Sequence, residues 1–116
     1  MRTTYMMALA LPLAATAAPY PYTMSGDRFV EMMSHTAPTG YEYQLREKAY
    51  SYLDGVRDSA EGTLWCDFDQ LKTPDLAYEL ADDIARMPAA QRKKNASLLL
   101  LQHLKRRFPC RQGGKP

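Results

Sequence analysis

The chain has 116 residues, with 15 Lys and Arg against 13 Asp and Glu, 2 His and 2 Cys. That length holds one small domain with a single core, and the near-balance of charge gives no support to nucleic-acid binding, which draws on a basic surface. Two distant cysteines and two scattered histidines, His35 and His103, lack metal-ligand spacing, so neither metal nor cofactor is expected.

Met1-Arg2 is a short positive start, and Met6 to Leu13 is an apolar run interrupted by Pro12. Ala15-Thr16-Ala17 follows with the small-x-small pattern of a signal-peptidase site. The run is too short to span a bilayer, which takes ~20 apolar residues. Residues 1–17 are therefore expected to be a cleaved signal peptide and 18–116 a single domain in an oxidising space. No cysteine lies near the cut, which argues against a lipid or other membrane anchor.

Ala18 to Met24 is an extended, proline-bearing lead-in. Ser25 suits an N-cap and Asp27 the first turn of a helix whose face is Phe29, Met32 and Met33, ending near Thr36. Ala37-Pro38-Thr39-Gly40 is a loop by composition. From Tyr41 to Ala60 the apolar positions Leu45, Ala49, Tyr52, Leu53, Val56 and Ala60 follow a helical period. Gly55 sits inside this helix, which close approach of another backbone or simple tolerance explains equally well.

Thr63 to Thr73 is a loop in which Trp65 and Phe68 flank Cys66, a composition that favours packing over the core. Asp67 and Asp69 resemble part of a calcium loop, but its glycine and terminal glutamate are missing. Thr73 and Pro74 open a third long helix. With Asp75 at zero and ~100° per residue, Leu76, Ala77, Leu80, Ala81 and Ile84 span about 100° to 240°. On the same wheel Asp75, Glu79, Asp82 and Asp83 fall between about −20° and 80°, with Arg86 among them. Met87-Pro88-Ala89 breaks the chain, and a fourth helix is expected over 89–108, with Ala90, Ser97, Leu101, Leu104 and Phe108 sharing one face while Leu99 points elsewhere. Lys105, Arg106 and Arg107 suit the negative end of its dipole. Asn95-Ala96-Ser97 matches a glycosylation sequon, made accidental by its helical position.

The expected fold is all-α: a small domain of four helices, with one disulfide joining the central loop to the C-terminal end. Two cysteines permit one intramolecular pairing, Cys66 with Cys110; two separate buried thiols are the alternative. No nucleophile–base pair or phosphate-cradling loop stands out, and enzymatic activity is not expected. The acidic face of the third helix is either a solvated face or a recognition face.

The order of residues from Ser25 to Cys110 resembles the Tai/Rap family of type VI secretion amidase immunity proteins. The resemblance is carried by Ser25-Gly26-Asp27 with Phe29-Val30-Glu31-Met32, by Tyr52-Leu53-Asp54-Gly55-Val56-Arg57-Asp58 as a Tyr-x-x-Gly-x-x-Asp helix, and by Trp65-Cys66 through Met87-Pro88 to Phe108-Pro109-Cys110. Many members carry a second cysteine pair, at positions held here by Met33 and Ala49. The resemblance implies a periplasmic, all-helical homodimer that binds a peptidoglycan amidase delivered by sibling cells and blocks its active-site groove with a protruding loop. No motif assigns the contacts; on charge and exposure, Asp75, Glu79, Asp82 and Asp83 and the turn with Met87, Gln91 and Arg92 are the candidate partner-binding residues. The competing reading is a small periplasmic acid-stress chaperone binding unfolded clients, which shares compartment, size and disulfide count.

Overall fold

The computed structural model describes residues 2–10, 18–34 and 39–111. Among these it has five helices and no strand: α1 (Gly26–Met33), α2 (Gly40–Ala60), α3 (Thr73–Ala85), α4 (Ala89–Arg92) and α5 (Ala96–Arg107). The fold is all-α as expected, with one helix more than the expected four. The cleavage motif Ala15-Thr16-Ala17, His35 and the loop residues Ala37 and Pro38 lie outside the described residues. No helix among the described residues is long and apolar enough to cross a membrane.

α1 is capped by Ser25, whose hydroxyl accepts a hydrogen bond from the Arg28 N–H at 3.1 Å. It stops at Met33, sooner than the expected Thr36, where the Ser34 hydroxyl donates to the Glu31 carbonyl and takes up a last-turn acceptor. α2 opens with the Thr39 N–H donating to the Glu42 carboxylate at 2.9 Å. Its apolar stripe turns inward, with Ala49, Leu53, Val56 and Ala60 buried. Gly55 faces open space, which excludes a close backbone approach as its reason.

α1 lies against α2 and α3, and α5 closes the bundle against all three. Phe29, Leu53, Leu80, Ile84, Leu100 and Leu104 meet at the centre with no exposed surface. Met33 and Ala49 are both buried there, packed as apolar core side chains.

The expected fourth helix is two helices. Asn95 interrupts it: its carboxamide oxygen accepts from the Ser97 N–H at 3.1 Å, capping α5 afresh. The Ala96 N–H donates at 2.9 Å to the Met24 carbonyl of the lead-in, not to a preceding helical turn. The interruption re-phases α5, so Leu99, Leu100, His103 and Leu104 point inward and Leu98 outward. Leu99, expected to point away, is a core residue.

The loop after α2 packs inward through Trp65, whose indole N–H donates to the Arg57 carbonyl at 3.0 Å and whose ring meets Phe108 edge-on. Arg57 organises the rest of the loop. Its guanidinium donates to the Leu71 carbonyl at 2.7 Å, to Asp67 at 3.1 Å and to the Thr73 hydroxyl at 2.6 Å. Asp67 in turn accepts from the Asp69 and Leu71 N–H groups, a turn-forming use of the carboxylate. Cys66 and Cys110 are joined as a disulfide, and the Cys66 N–H donates to the Phe108 carbonyl at 3.0 Å. The loop and the end of α5 are thus tied by covalent, hydrogen-bonded and aromatic contacts at one place.

Candidate partner-binding surface

The acidic face of α3 divides in two. Asp75, Glu79 and Asp82 are exposed, as their wheel positions predict. Asp83 is 7% exposed and is removed from that face. On the wheel it stands at about 80°, only ~20° from Leu76, so it lies at the edge of the apolar arc. There it meets α5. The Arg107 guanidinium donates to both carboxylate oxygens at 2.7 Å, and Arg86 adds a bond at 2.8 Å. This fork matches a planar carboxylate with two parallel bonds. Hydrogen bonding to Arg107 holds the Asp83 pKa below its ordinary 3.8, and the same bond raises that of Arg107.

His103 completes the node. Arg106 can only donate, so its 2.6 Å contact makes His103 Nδ1 an acceptor and places the ring proton on Nε2. Nε2 is buried with no hydrogen-bond partner among the described residues. Burial first, then the positive charge of Arg106, lowers the His103 pKa below 6.5, although Asp83 at 3.6 Å pulls the other way. Neutral His103 therefore fits beside three arginines where a cation would not. Arg107 also reaches Glu79, at 3.5 Å on the exposed side.

Beside the exposed acids, Val30, Met33, Tyr78, Ala81 and Ala85 line an open cleft of about 240 Å³ between α1 and α3, with Asp82 on its rim. Tyr78 is 43% exposed and carries the Arg46 guanidinium over its ring.

The turn from Met87 to Asn95 contains α4. Pro88, Ala89 and Ala90 form its exposed tip, while Met87, Gln91 and Arg92 are half-buried. Arg92 faces the protein, donating from Nη1 to the Met87 carbonyl at 2.8 Å and from Nε to Asp27 at 2.9 Å. The structure thus brings Met87, Gln91 and Arg92 together in one turn, next to α3 in the chain. Its anchoring to α1 was not visible in the residue pattern.

Both cysteines are spent in the disulfide, and His103 Nδ1 is engaged by Arg106. Among the described residues no cluster of three or more His, Cys, Asp or Glu side chains is placed to hold a metal.

A family model described as Rap1a immunity proteins matches residues 25–110. The chain belongs to this family. No curated protein matches the chain. The matched stretch runs from the cap of α1 to the second disulfide cysteine, so a Rap1a immunity protein is here the whole helical unit with its covalent tie. An immunity protein acts by binding a cognate toxin, so its exposed surface is what matters most. In that light the Tyr52 helix motif has a structural task. The Tyr52 hydroxyl accepts from the Ser97 N–H at 3.0 Å, tying α2 to the start of α5 and so to the base of the turn. The same Ser97 donates its hydroxyl to Asn95 at 3.0 Å, so the sequon serves as a helix cap.

Proposed function

We propose that this immunity protein acts in the periplasm, after removal of a signal peptide at residues 1–17, as the 18–116 domain. There it inhibits a type VI secreted peptidoglycan amidase by covering the enzyme's active-site groove. The observation that carries the reading is the family match over residues 25–110, spanning a helical unit without a catalytic constellation among its described residues. Asp75, Glu79 and Asp82, with Arg86 set among them and Arg107 at 3.5 Å from Glu79, supply a charged face that steers a complementary enzyme and sets partner choice. The turn with Met87, Gln91 and Arg92 supplies a protrusion of the right kind for a groove, with an apolar tip at Pro88, Ala89 and Ala90. Asp83 supports this surface from behind. A homodimer presenting two such surfaces is part of the proposal.

The test is an assay of inhibition against type VI secreted peptidoglycan amidases of the producing cells. Oxidised protein is expected to abolish peptidoglycan cleavage at stoichiometric amounts, and the Asp75→Lys/Asp82→Lys variant to bind at least tenfold more weakly at low salt. Uninhibited cleavage would refute the reading. Unchanged affinity of the variant would remove the α3 face and leave the turn. A chaperone would instead suppress aggregation of unrelated clients after acidification.

A further inference from the structure

Four residues of helix do not hold their own shape, since isolated helices need roughly 12–15 residues to be even marginal in water. α4 is that short, and its ends are fixed from elsewhere. The lead-in before α1 runs beside the turn and bonds to it repeatedly. The Tyr22 hydroxyl donates to the Lys93 carbonyl, the Gly26 N–H to the Lys94 carbonyl at 3.0 Å, and the Met24 carbonyl accepts from Ala96. Met24 itself is buried, which seats the strap on the core. Asp27 then receives Arg92, whose other arm holds the Met87 carbonyl, so one guanidinium spans both ends of α4.

Gly26 is required by this closeness. A Cβ there would lie 2.7 Å from the Arg92 carbonyl oxygen and 2.5 Å from Leu99 Cδ1. Both distances are shorter than Cβ contacts in folded proteins, and one is to backbone, so the turn would have to move.

We infer that the strap and the Asp27–Arg92 ion pair preset the shape of the 87–95 turn for entry into the toxin, making Gly26, Asp27 and Arg92 positioning residues. The inference rests on the function proposed above. It assigns Arg92 an inward task in place of direct contact with the enzyme. A turn already held in its bound shape avoids the ordering cost that a loose loop meets on association. If only a fraction of molecules hold that shape, apparent affinity falls by that fraction.

The experiment is a double-mutant cycle on the oxidised protein: Asp27→Ala, Arg92→Ala and the pair, titrated calorimetrically against the amidase that the parent protein inhibits. Amide hydrogen exchange of each free variant is measured alongside. Each single change is expected to weaken binding about fivefold, equivalent to the ~1 kcal/mol of a partly exposed ion pair. The pair should lose no more than either single variant, and amides of 88–95 should exchange faster while those of α2 and α3 stay as they were. Gly26→Ala should weaken binding further; should it fail to fold, the Asp27→Ala comparison still decides. If Arg92→Ala weakens binding while Asp27→Ala binds as the parent does, or if the two losses add, Arg92 touches the enzyme directly and the inference is overturned. Exchange in 88–95 unchanged in both single variants overturns it as well. A parent protein that binds no amidase refutes the functional reading itself, before any variant is compared.

Discussion

Replacing Asp83 by Asn keeps the side chain's shape and removes its charge, which makes it the sharpest probe of how α3 and α5 are held. The side chain is 4% exposed and takes two 2.7 Å bonds from Arg107. A hydrogen bond to a charged group contributes about 1.5–3 kcal/mol net, and a buried donor left facing another donor costs about 1–3 kcal/mol. Arg107 is 35% exposed and Arg86 70%, so both cations regain water, which moderates the loss. We expect Asp83→Asn to cost ~3 kcal/mol, at the low end of a broken buried pair. For a domain of this size that lowers Tm by roughly 12–24 °C. Thermal and urea unfolding followed by circular dichroism measure it, with Glu79→Gln as the exposed comparison, expected within ~0.5 kcal/mol of the parent. The pH dependence adds a check. Because the folded-state pKa of Asp83 lies below 3.8, its contribution is present above that pH and is lost as pH falls through the folded value. The gap between parent and variant should therefore be constant near neutrality and close only in strong acid. A loss under ~1 kcal/mol at neutral pH would refute the reasoning.

Reduction of the disulfide, or Cys66→Ser/Cys110→Ser, opens a loop of sequence separation 44 and is expected to cost about 4 kcal/mol on the chain-entropy account; a loss under ~1 kcal/mol by urea titration would show that the Trp65–Phe108 contact and the Cys66–Phe108 backbone hydrogen bond hold the two ends without it. His103 has its pKa lowered below 6.5, so the unfolded chain binds its proton first and stability falls as pH drops through the interval beneath 6.5. His103→Leu should flatten that limb of the stability curve and, by removing the unpartnered Nε2, leave the protein at least as stable at pH 7; an unaltered limb would place the acid sensitivity elsewhere. Gly55→Ala fills open space on a helix and should stabilise by ~1 kcal/mol; destabilisation would indicate that something packs over this face in solution.

The helices that bury a continuous stripe were legible in the residue order, because burial on one face imposes a period that composition alone does not. α2 is the clearest case: Ala49, Leu53, Val56 and Ala60 turn inward as spaced. The Trp65 loop was legible too, since large apolar side chains around a cysteine have little reason to stay in water. The break at Asn95 was not. Ala, Gln, Arg, Lys and Leu surround it, and an isolated Asn among good helix formers shifts propensity only slightly. What ends α4 is a pair of backbone bonds from a strand of chain about seventy positions earlier, the Gly26 N–H to Lys94 and the Ala96 N–H to Met24. Asp83 failed for a related reason. A wheel orders residues around one helix and contains no Arg107, which arrives from 24 positions away. Its place at the margin of the apolar arc was the available clue. The three carboxylates farther round stay exposed, as spaced, because water needs no partner to be found; Glu79 reaches Arg107 only from that exposed side.

The bond between Cys66 and Cys110 encloses α3, the 87–95 turn and α5 in one covalent ring, and leaves α1 and α2 outside it. A protease that severs the exposed tip at Ala89 or Ala90 would therefore make a nick and release nothing. Both ends stay anchored, one through α3 and the other through α5, and the acids and the severed tip remain on the same particle. Resistance to a first cut is thereby written into the connectivity, apart from any resistance that comes from rigidity.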